Sequence, residues 1–444
     1  MRVSVIGCGH LGAPHAAAMA ELGHEVIGIE LDLEKCLALN SGTSYFYEAG
    51  LDDLLAKHTA GGRLRFTTDL TEAAEFADLH FLAVGTPLRE DGRGYDVEQV
   101  VGAVKALVPL LRRPCTIVGK STVTVGTVAR LREITDSATI EGIELVWNPE
   151  FLREGHAVED SLFPDRILAG LSSGTARAAI EEVYAPILAR GDVKLIVTDP
   201  TTAEVAKSAA NAFLAAKISY INAMAEVCEI TGADVNQVAY VMGVDKRIGH
   251  GALRPGIGYG GGCLPKDVGA FTFRIGELGA TNAAALLEAV GAVNRSRLDA
   301  AVDLVECAAA GHLHGTTIGF LGASFKAGTS DVRDSPALRL AERLHQRGAI
   351  VVIYDPESVE AARRLHPQFK YAHSATAALV GADITVLGTE WPEFTQDPKL
   401  PIDAADTVKN RILVDVRNAV AADPWLKAGW QVWQLGRPVQ HSQV

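Results

Sequence analysis

Residues 2–12 read Arg-Val-Ser-Val-Ile-Gly-Cys-Gly-His-Leu-Gly, and an alanine-rich segment follows them as far as Leu22. The apolar beginning is typical of a buried strand, and the alanine-rich segment is typical of a helix. Gly7, Gly9 and Gly12 form the pattern G-x-G-x-x-G between the two. This strand–turn–helix setting predicts a Rossmann-type βαβ unit in which a dinucleotide pyrophosphate rests on the helix N-terminus.

An acidic residue ends the next predicted strand, His24–Glu30. In dinucleotide-binding units an acid at this place accepts a hydrogen bond from the ribose 2′-hydroxyl, and its charge repels a 2′-phosphate. Glu30 therefore favours NAD over NADP as the cofactor. The alternative is a βαβ turn of the same shape that binds no ligand.

The composition is that of a globular chain of two or three domains. Its 444 residues are 48% hydrophobic and 21% charged. With 41 basic and 54 acidic residues the net charge is −13, which argues against nucleic acid or an acidic membrane as a partner. The six cysteines form no Cys-x-x-Cys pair, so we expect neither a metal site nor disulfides, and free thiols favour the cytoplasm. Neither a signal peptide nor a membrane-spanning segment is predicted.

Further strand-and-helix units extend the first domain. Predicted strands at Leu79–Val84, Thr116–Gly119 and Leu145–Trp147 each run into a polar turn. Because doubly wound sheets bind ligands at the carboxyl ends of their strands, residues of these turns are candidate ligand contacts. The candidates are Thr86, Thr122, Glu150 and Glu154. Each of them could instead be a turn or helix-capping residue.

A long helix is predicted from Pro200 to the stop signal at Gly232, with a capping hydroxyl and the acid Glu204 in its first turn. About thirty residues at 1.5 Å each give a length of about 45 Å. Such a helix suits the connection between two domains and the core of a homodimer. Lys207 and Asn211 lie four positions apart and share a face, where they could polarise or hold an oxygen. The alternative is a lysine that extends to solvent beside a satisfied amide.

Residues 254–267 read Arg-Pro-Gly-Ile-Gly-Tyr-Gly-Gly-Gly-Cys-Leu-Pro-Lys-Asp. Pro265 is suited to the first turn of a helix, which places Cys263 just ahead of a helix N-terminus. The helix dipole and the Lys266 ammonium both favour the thiolate there, and Asp267 adds a carboxylate one turn on. The glycines let the backbone approach a ligand closely. These features predict a nucleophilic cysteine in an anion-binding loop, and the alternative is a glycine-rich turn before a buried structural cysteine.

The last part of the chain repeats the strand-and-helix pattern. Strands are predicted at Thr317–Leu321, Ile350–Asp355, Asp383–Leu387 and Arg411–Asp415. The first of them is followed by Gly-Ala-Ser-Phe-Lys at positions 322–326, which is only a remnant of the glycine fingerprint. We therefore expect a nucleotide site here that is not a second NAD site.

Seven motifs, in order along nearly the whole chain, resemble those of the nucleotide-sugar 6-dehydrogenases, the UDP-glucose/GDP-mannose dehydrogenase family. They are Gly7–Gly12, Gly85-Thr86-Pro87, Lys120-Ser121-Thr122-Val123, Asn148–Gly155, the helix with Lys207 and Asn211, Gly258–Asp267 and Phe325–Arg333. The resemblance implies an α/β fold of two Rossmann-like doubly wound domains joined by a long central helix that builds a dimer. It implies an NAD-binding domain at 1–198, a central dimerisation region with the cysteine loop at 199–300, and a UDP-sugar-binding domain at 312–444.

Members of this family oxidise a C6 alcohol to a carboxylate with two NAD, and the resemblance implies a role for each candidate side chain. Cys263 would be the nucleophile that forms a thiohemiacetal and then a thioester. Lys207 and Asn211 would stabilise the developing oxyanion. Asp267, with a water, would be the base of the first oxidation, and Glu150 the acid/base of thioester formation or hydrolysis.

The same resemblance implies the ligand contacts, and it gives Thr122 the further role of ordering the hydrolytic water. The contacts implied for NAD are Gly7, Gly9, Leu11, Gly12, Glu30, Lys35, Thr86, Thr122, Glu154, Lys266 and Arg333. Those implied for the nucleotide sugar are Glu150, Phe151, Leu152, Arg153, Glu154, Lys207, Asn211, Arg247, Arg254, Gly256, Gly258, Tyr259, Gly260, Lys326 and Arg417. Arg333 and Arg417 would reach across a dimer interface.

UDP-glucose is the substrate that the resemblance favours, with GDP-mannose or a UDP-N-acetylhexosamine as alternatives. A two-electron hydroxyacid dehydrogenase is a further alternative, but it needs neither Cys263 nor a second nucleotide domain. A non-enzymatic sensor of NAD or of a nucleotide sugar would be expected to lack the nucleophile or the lysine. Three positions depart from the common family pattern: Thr124 stands for proline, Gly262 for serine and Glu30 for aspartate.

Overall fold

The computed structural model of the protein describes residues 1–442 and divides into two compact units. The first unit consists of residues 1–210 and 269–278, and the second consists of residues 211–268 and the chain from 279 onward. Each unit has its own sheet of mainly parallel strands with helices between them, which confirms the predicted α/β class with two Rossmann-like domains. The division at 1–198, 199–300 and 312–444 stays a prediction.

The first unit is built on an eight-stranded sheet with the order β3-β2-β1-β4-β5-β6-β7-β8. Its strands are β1 (Arg2–Ile6), β2 (Glu25–Ile29), β3 (Leu64–Thr67), β4 (Leu79–Leu82), β5 (Cys115–Gly119), β6 (Ile143–Trp147), β7 (Arg166–Gly170) and β8 (Lys194–Thr198). All neighbours are parallel except β6 and β7, which meet antiparallel at Trp147 and Gly170. The sequence patterns did not predict strands β3, β7 and β8.

Helices cover this sheet and bury its central strands. They are α1 (Gly12–Glu21), α2 (Leu33–Asn40), α3 (Leu51–Ala60), α4 (Leu70–Phe76), α5 (Glu98–Leu107), a 3-10 turn (Val108–Leu110), α6 (Thr127–Asp136), α7 (Ala157–Leu162), α8 (Gly174–Val183) and α9 (Ala185–Leu188). Strands β4 and β5 are buried along their whole length, as expected for parallel strands covered on both faces. The winding direction reverses between β1 and β4, and ligands bind beyond the strand ends at such a point.

The second unit contains a six-stranded sheet, all parallel, with the order β11-β10-β9-β12-β13-β14. Its strands are β9 (Thr317–Leu321), β10 (Ile350–Tyr354), β11 (Lys370–Tyr371), β12 (Ile384–Leu387), β13 (Ile412–Asp415) and β14 (Gln431–Gln434). This is the winding order of β1 to β6 in the first unit, so both units follow one plan. The helices assigned wholly to this unit are α11 (Val235–Val244), α13 (Thr281–Ala308), α14 (Pro336–Gln346), α15 (Val359–Leu365), α16 (Ala375–Leu379), α17 (Pro392–Thr395), α18 (Leu400–Ala405) and α19 (Ala422–Lys427).

The predicted long central helix is confirmed as α10 (Pro200–Thr231), and the division between the units falls inside it. Its 32 residues make it about 48 Å long at 1.5 Å per residue. The prediction of a hydroxyl cap was wrong, because the cap is the Asp199 carboxylate. That carboxylate accepts from the backbone N–H of Thr202 at 2.9 Å and from its hydroxyl at 2.6 Å. A second helix, α12 (Leu264–Glu277), is also divided between the units.

Glu204, the acid near the start of α10, caps the neighbouring helix α6. Its carboxylate accepts from the backbone N–H groups of Gly126 and Val128, both at 2.8 Å. Glu204 is buried, and this burial raises its pKa, whereas the backbone donors act in the opposite direction. The start of α10 is thereby tied to the start of α6 inside the first unit.

Candidate functional site

The three fingerprint glycines of the first unit serve three different purposes. Gly7 has φ +89°, and a Cβ there would lie 2.9 Å from Val84. A Cβ on Gly12 would lie 1.8 Å from the carbonyl oxygen of Gly7, so this glycine permits close packing of α1 on the turn. No atom lies within 4 Å of a Cβ built on Gly9. The backbone at Gly9 is therefore open to a ligand at the N-terminus of α1, which fits a dinucleotide pyrophosphate.

Glu30 directly follows β2, at the place where a ribose-binding acid is expected. One of its carboxylate oxygens accepts from the backbone N–H of Asp32 at 3.1 Å, which orients the side chain. Asp32 caps α2, and its carboxylate pairs with the ammonium of Lys35 at 3.6 Å. Lys35 also lies over the ring of Tyr45 at 5.1 Å. Glu30 and Lys35, both predicted NAD contacts, thus lie at one edge of the glycine turn.

The loop between α2 and α3 contains side chains that the sequence argument missed. The Tyr45 hydroxyl donates to the carbonyl of Cys8 at 3.0 Å, inside the glycine turn. Glu48 is buried, and its carboxylate accepts from the backbone N–H groups of Gly155 and Ala157 at 2.8 and 2.7 Å. One short loop therefore supports both the dinucleotide turn and the segment that follows β6. The aromatic run at 45–47 in an otherwise polar loop was the signal that could have revealed it.

Two of the predicted threonines meet at the carboxyl edge of the sheet. The Thr86 hydroxyl donates to the carbonyl oxygen of Thr122 at 2.8 Å, and both residues are buried. This bond joins the turn after β4 to the turn after β5. Thr86 therefore has a structural role in joining the two turns, whether or not it also contacts a ligand.

Glu150 and Lys207 form a largely buried ion pair, with 3.1 Å between the carboxylate and the ammonium. Their side chains are 13% and 5% exposed. The second Glu150 oxygen accepts from the backbone N–H of Leu152 at 2.6 Å. The Lys207 ammonium also lies 5.3 Å from the centre of the Phe151 ring. The first unit therefore brings together four of the residues predicted to face the substrate.

Two predicted contacts of the same segment are placed differently. The Arg153 side chain is exposed and forms a bidentate pair with Asp160, whose carboxylate also accepts from the Arg153 backbone N–H. The Asp160 hydrogen bonds are the main cause that raises the pKa of Arg153. Glu154 is half-buried beside Gly155, whose backbone Glu48 holds.

Lys120 is a further buried residue that the sequence argument quoted in a motif but gave no role. Its ammonium donates to the Asn148 side-chain oxygen at 3.2 Å and to the Tyr184 hydroxyl at 3.4 Å. The Tyr184 hydroxyl donates to the same Asn148 oxygen at 2.7 Å. Burial lowers the pKa of Lys120 to about 8, the nearby Glu150 raises it, and Lys207 lowers it further.

In the second unit, Cys263 is the residue immediately before α12, as predicted. The Asp267 backbone N–H donates to the Cys263 carbonyl at 2.8 Å, which is the first hydrogen bond of that helix. Cys263 is exposed, whereas four other cysteines of the chain are buried. A thiol at a helix N-terminus with access to solvent has the position of a reactive cysteine.

Asp267 lies one turn beyond the cysteine and is only 2% exposed. Its carboxylate accepts from the Asn211 amide at 2.7 Å and pairs with the Lys266 ammonium at 3.0 Å. Three predicted catalytic or ligand-binding residues of the second unit are thus in direct contact. The Lys266 charge is directed to this carboxylate.

Two side-chain amides hold the loop that leads to the cysteine. Asn222 of α10 accepts from the Gly256 backbone N–H at 2.8 Å, and Asn294 of α13 binds both the N–H and the carbonyl of Tyr259, at 2.8 and 3.0 Å. Gly258 has φ +98°, and a Cβ on it would lie 2.5 Å from Asn294. The glycines of this loop are therefore required by contacts within the protein, in addition to any approach of a ligand.

Two of the positively charged candidates of the second unit, Arg333 and Arg417, lie beside the loop that contains Cys263. Arg333 forms a bidentate pair with Asp331, and its guanidinium carbon lies 2.7 Å from the position of a Cβ on Gly262. The departure from serine at Gly262 thus leaves room for an arginine beside the cysteine. Arg417 donates to the carbonyl oxygens of Gly388 at 2.9 Å, Gly258 at 3.5 Å and Phe325. It therefore fastens the cysteine loop to the sheet.

The other candidates lie at the surface or nearer to it. The Arg247 side chain is 88% exposed and pairs with Asp245, and Arg254 is exposed. Lys326 is half-buried, with its ammonium 5.6 Å from the centre of the Phe325 ring.

The glycine remnant of the second unit is closed by a carboxylate. Asp355 follows β10, at the position that Glu30 occupies after β2. One of its oxygens accepts from the backbone N–H groups of Ala323 and Ser324 at 2.7 and 3.0 Å. The amides that would face a pyrophosphate are thereby engaged by the protein itself. This contact gives a physical reason why the second sheet does not repeat the NAD site.

Two negative findings concern residues 1–442. No group of three or more histidine, cysteine, aspartate or glutamate side chains in that range is placed to hold a metal ion. Within the same range, no helix is both long and apolar enough to cross a membrane.

Comparison with known proteins gives matches along the whole chain. The sequence matches three domains of the UDP-glucose/GDP-mannose dehydrogenase family: the NAD binding domain over residues 1–188, the central domain over 201–296 and the UDP binding domain over 319–422. A UDP-glucose 6-dehydrogenase of Rhizobium meliloti is 40% identical over 442 residues, which cover 99% of this chain and 100% of that relative.

Two solved structures have the same architecture. A UDP-glucose dehydrogenase from Pyrobaculum islandicum superimposes with a TM-score of 0.87 at 33% identity, covering 98% of both chains. A UDP-D-ManNAc dehydrogenase from Pyrococcus horikoshii superimposes with a TM-score of 0.82 at 25% identity, covering 98% of this chain and 99% of that one. With an open glycine turn, an acid after β2 and matches to all three domains, the chain belongs to the UDP-glucose/GDP-mannose dehydrogenase family and carries that family's NAD-binding domain.

Proposed function

We propose that this protein oxidises the C6 alcohol of UDP-glucose to the carboxylate of UDP-glucuronate, with a covalent intermediate on Cys263. The observation that carries this proposal is the exposed Cys263 at the N-terminus of α12, one turn from the buried Asp267. An alcohol-to-acid oxidation releases two hydrides, and the intermediate aldehyde must be held between the two releases. A thiol at this place meets that need, whereas a two-electron dehydrogenase does not require one.

NAD, when bound, accepts a hydride, and two molecules are used for each sugar. Gly9 and the N-terminus of α1 are proposed to receive the pyrophosphate, and Glu30 the ribose hydroxyls. The further NAD contacts that we propose are Gly7, Leu11, Gly12, Lys35, Thr86, Thr122, Glu154, Lys266 and Arg333.

In the first oxidation the C6 carbon loses a hydride and its hydroxyl loses a proton, which leaves an aldehyde. We assign the uptake of this proton to Asp267 through a water, because its carboxylate is held by Asn211 and Lys266 in a fixed orientation. The Cys263 sulfur then bonds to the aldehyde carbon as its S–H bond breaks, and that proton passes to the carbonyl oxygen to complete the thiohemiacetal. The same carbon then loses the second hydride and the hydroxyl releases its proton to solvent, which leaves a thioester.

Oxygen charge develops in both addition steps, and Lys207 and Asn211 are proposed to stabilise it. They are four residues apart on α10. An amide nitrogen carries two hydrogens, so the bond from Asn211 to Asp267 leaves a second donor for an oxyanion.

The thioester is hydrolysed by a water, which forms the new C–O bond while the C–S bond breaks and the thiol is restored. Glu150 is proposed to take the proton from that water, since its carboxylate is fixed by Lys207 and by the Leu152 backbone. Thr122 is proposed to order the water.

Arg417 is proposed as a contact of the nucleotide sugar, although its guanidinium is mainly engaged in holding loops. The further contacts proposed for the nucleotide sugar are Phe151, Leu152, Arg153, Glu154, Arg247, Arg254, Gly256, Gly258, Tyr259, Gly260 and Lys326. The same chemistry on UDP-N-acetylmannosamine is a second candidate, favoured by the similarity to a UDP-D-ManNAc dehydrogenase of known structure. GDP-mannose is a third.

We also propose that the protein is a homodimer and acts in the cytoplasm. Large apolar side chains are exposed on α10 and α11 of the second unit, and a second copy of the chain would cover them. Those with more than half of their surface exposed are Phe213, Tyr220, Ile230, Tyr240, Val241 and Val244. Scattered cysteines that form no Cys-x-x-Cys pair are compatible with a reducing compartment.

The test is to count the NADH formed from a limiting, known amount of each nucleotide sugar in excess NAD. We expect two NADH per UDP-glucose, with UDP-glucuronate recovered. One NADH per sugar with release of an aldehyde or ketone would overturn the covalent mechanism. Two NADH from UDP-N-acetylmannosamine or GDP-mannose, and none from UDP-glucose, would transfer the assignment to that sugar.

A further inference from the structure

A buried ammonium that forms no direct ion pair with any described residue lies close enough to Glu150 and Lys207 to be affected by both charges. Lys120 ends up 7% exposed just after β5, and its hydrogen-bond acceptors are the neutral side chains of Asn148 and Tyr184. Among residues 1–442 it has no ion-pair partner. Burying a charge in this way costs stability, so the residue calls for a functional explanation.

Lys120 forms hydrogen bonds with both ends of the turn from Asn148 to Glu150. Its ammonium holds the Asn148 side chain, whose amide also donates to the Leu168 carbonyl at 2.7 Å. Its own carbonyl accepts from the Glu150 backbone N–H at 3.3 Å. Asn148 is anchored a third time, because its backbone N–H donates to the Gly119 carbonyl at 2.8 Å. The position of Glu150 therefore depends on Lys120.

The charges that face Lys120 come from several elements. Glu150 in the turn after β6 raises the pKa of Lys120, and Lys207 on α10 lowers it. His15 on α1 has a pKa well below its usual range, caused first by burial and then by the positive charge of Lys120, so that this histidine stays neutral. Burial raises the pKa of the Tyr184 phenol, which therefore stays neutral as well. The groups that remain charged are two lysines and one glutamate, with a net charge of +1.

We propose that Lys120 is a positioning residue that fixes the Glu150 turn and leaves the Glu150–Lys207 pair with a net positive charge. Without it the carboxylate would neutralise Lys207 completely, and an oxyanion forming at Lys207 would meet no net charge. With it the carboxylate is shared between two cations, and Lys207 keeps part of its field for the substrate. The inference deepens the proposed function and rests on it.

The test compares the Lys120→Met variant with the wild type on whichever nucleotide sugar the wild type oxidises. Methionine has a similar length and no charge, and Tyr184 can still donate to Asn148. We expect a melting temperature equal to or above that of the wild type, since the buried charge is gone. We also expect kcat to fall by roughly tenfold or more while KM changes by less than about threefold.

The pH profile separates this role from a structural one. Because the pKa of Lys120 is lowered to about 8, Lys120 loses its charge as the pH rises. The higher kcat of the wild type relative to Lys120→Met should disappear with that charge. The ratio of wild-type to variant kcat should therefore fall between pH 7 and pH 9.5. Lys105→Met, a change of an exposed lysine on α5, is the matched control and should leave kcat and the profile unchanged.

Three results would overturn the inference: an unchanged kcat, a constant kcat ratio over that pH range, or a loss of activity that accompanies a lower melting temperature. If Lys120→Met does not fold, Tyr184→Phe tests the same point, because it removes one acceptor of the ammonium. In the Tyr184→Phe variant, the fall of kcat at alkaline pH should then begin at a lower pH than in the wild type. A fall at the same pH in both proteins would reject the proposal. The NADH yield of the wild type tests the proposed function without any variant. A failure of the proposed function is therefore distinguished from a failure of the inference about Lys120.

Discussion

The side-chain amide of Asn211 donates to the carboxylate of Asp267 over 2.7 Å, although the two residues are 56 positions apart. The other carboxylate oxygen is 3.0 Å from the ammonium of Lys266. Asp267 is therefore a buried group held by an amide and a cation, one turn from Cys263. A carboxylate held in this way has a fixed orientation, which a proton acceptor needs.

Replacing Asp267 by asparagine should lower kcat by roughly 100-fold or more, because the variant retains the shape but not the charge. Lys266 would also lose its buried partner, so we expect a fall in the free energy of unfolding of about 1–3 kcal/mol. Steady-state kinetics and denaturant unfolding measure the two effects. Asp303→Asn, at an exposed aspartate on α13 of the second unit, is the control for removal of a charge. A variant of Asp267 with normal kcat would rule out the proposed proton transfer.

Cys263→Ser should block formation of the acid, because the serine hydroxyl is a much weaker nucleophile than the thiol at neutral pH. We expect no more than one NADH per UDP-glucose from the variant, against two from the wild type. The exposed Cys307 on α13 provides the matched control, and Cys307→Ser should retain full stoichiometry. Normal formation of the acid by Cys263→Ser would contradict the covalent mechanism.

Glu30→Ala should weaken the binding of NAD more than that of NADP. The lost hydrogen bonds from the ribose to a charged acceptor are worth about 1.5–3 kcal/mol, or roughly ten- to a hundredfold in Kd for NAD. Calorimetric titration with both nucleotides measures the ratio. Glu34→Ala on the neighbouring α2 removes the same charge four residues away and should leave the ratio unchanged. An unaltered preference in Glu30→Ala would reject the ribose assignment.

Glu48→Gln should destabilise the first unit, because an amide has one acceptor oxygen where the carboxylate accepts from two backbone N–H groups. One buried donor would lose its partner, which costs about 1–3 kcal/mol. Denaturant unfolding measures the loss, and Asp53→Asn on the exposed side of α3 is the control. Equal stability of Glu48→Gln and the wild type would show that the segment after β6 does not depend on this contact.

The stability of the wild type relative to Lys120→Met should rise with pH. The folded-state pKa of Lys120 is about 8, below its ordinary value of 10.5. Below pH 8 both folded and unfolded chains carry the proton, so the penalty for the buried charge is complete. Between pH 8 and 10.5 the folded chain releases its proton first, and the free energy of unfolding of the wild type therefore increases. The free energies of unfolding of the wild type and Lys120→Met, plotted against pH, should converge across this range by an amount on the order of a few kcal/mol. A constant difference between the two proteins would contradict the assignment.

Much of this organisation was predictable because it is local in the chain. Residues 2–12 contain the apolar run, the glycine spacing and the start of α1 in one continuous segment, and their geometry follows from that order. The same holds for α10, whose bounds follow from continuous helical periodicity and a glycine stop. It also holds for Cys263, which the following proline places at the N-terminus of α12. The dinucleotide-binding role of the glycines and the nucleophilic role of Cys263 were predicted from the residues, whereas the detailed catalytic roles came from the resemblance. The role of each individual residue remains a proposal.

The contacts that make the site specific join residues that are far apart in the chain, and no local pattern indicates them. Glu204 caps a helix 78 positions away, and Glu48 caps one 109 positions away. Lys120 reaches Tyr184 across 64 residues, and Arg417 reaches the Gly258 carbonyl across 159. Each buried donor and acceptor must find a partner, and only the packed chain determines which one lies within reach. The sequence alone therefore specified the elements and the reactive groups, whereas packing selected the partners that hold those groups in place.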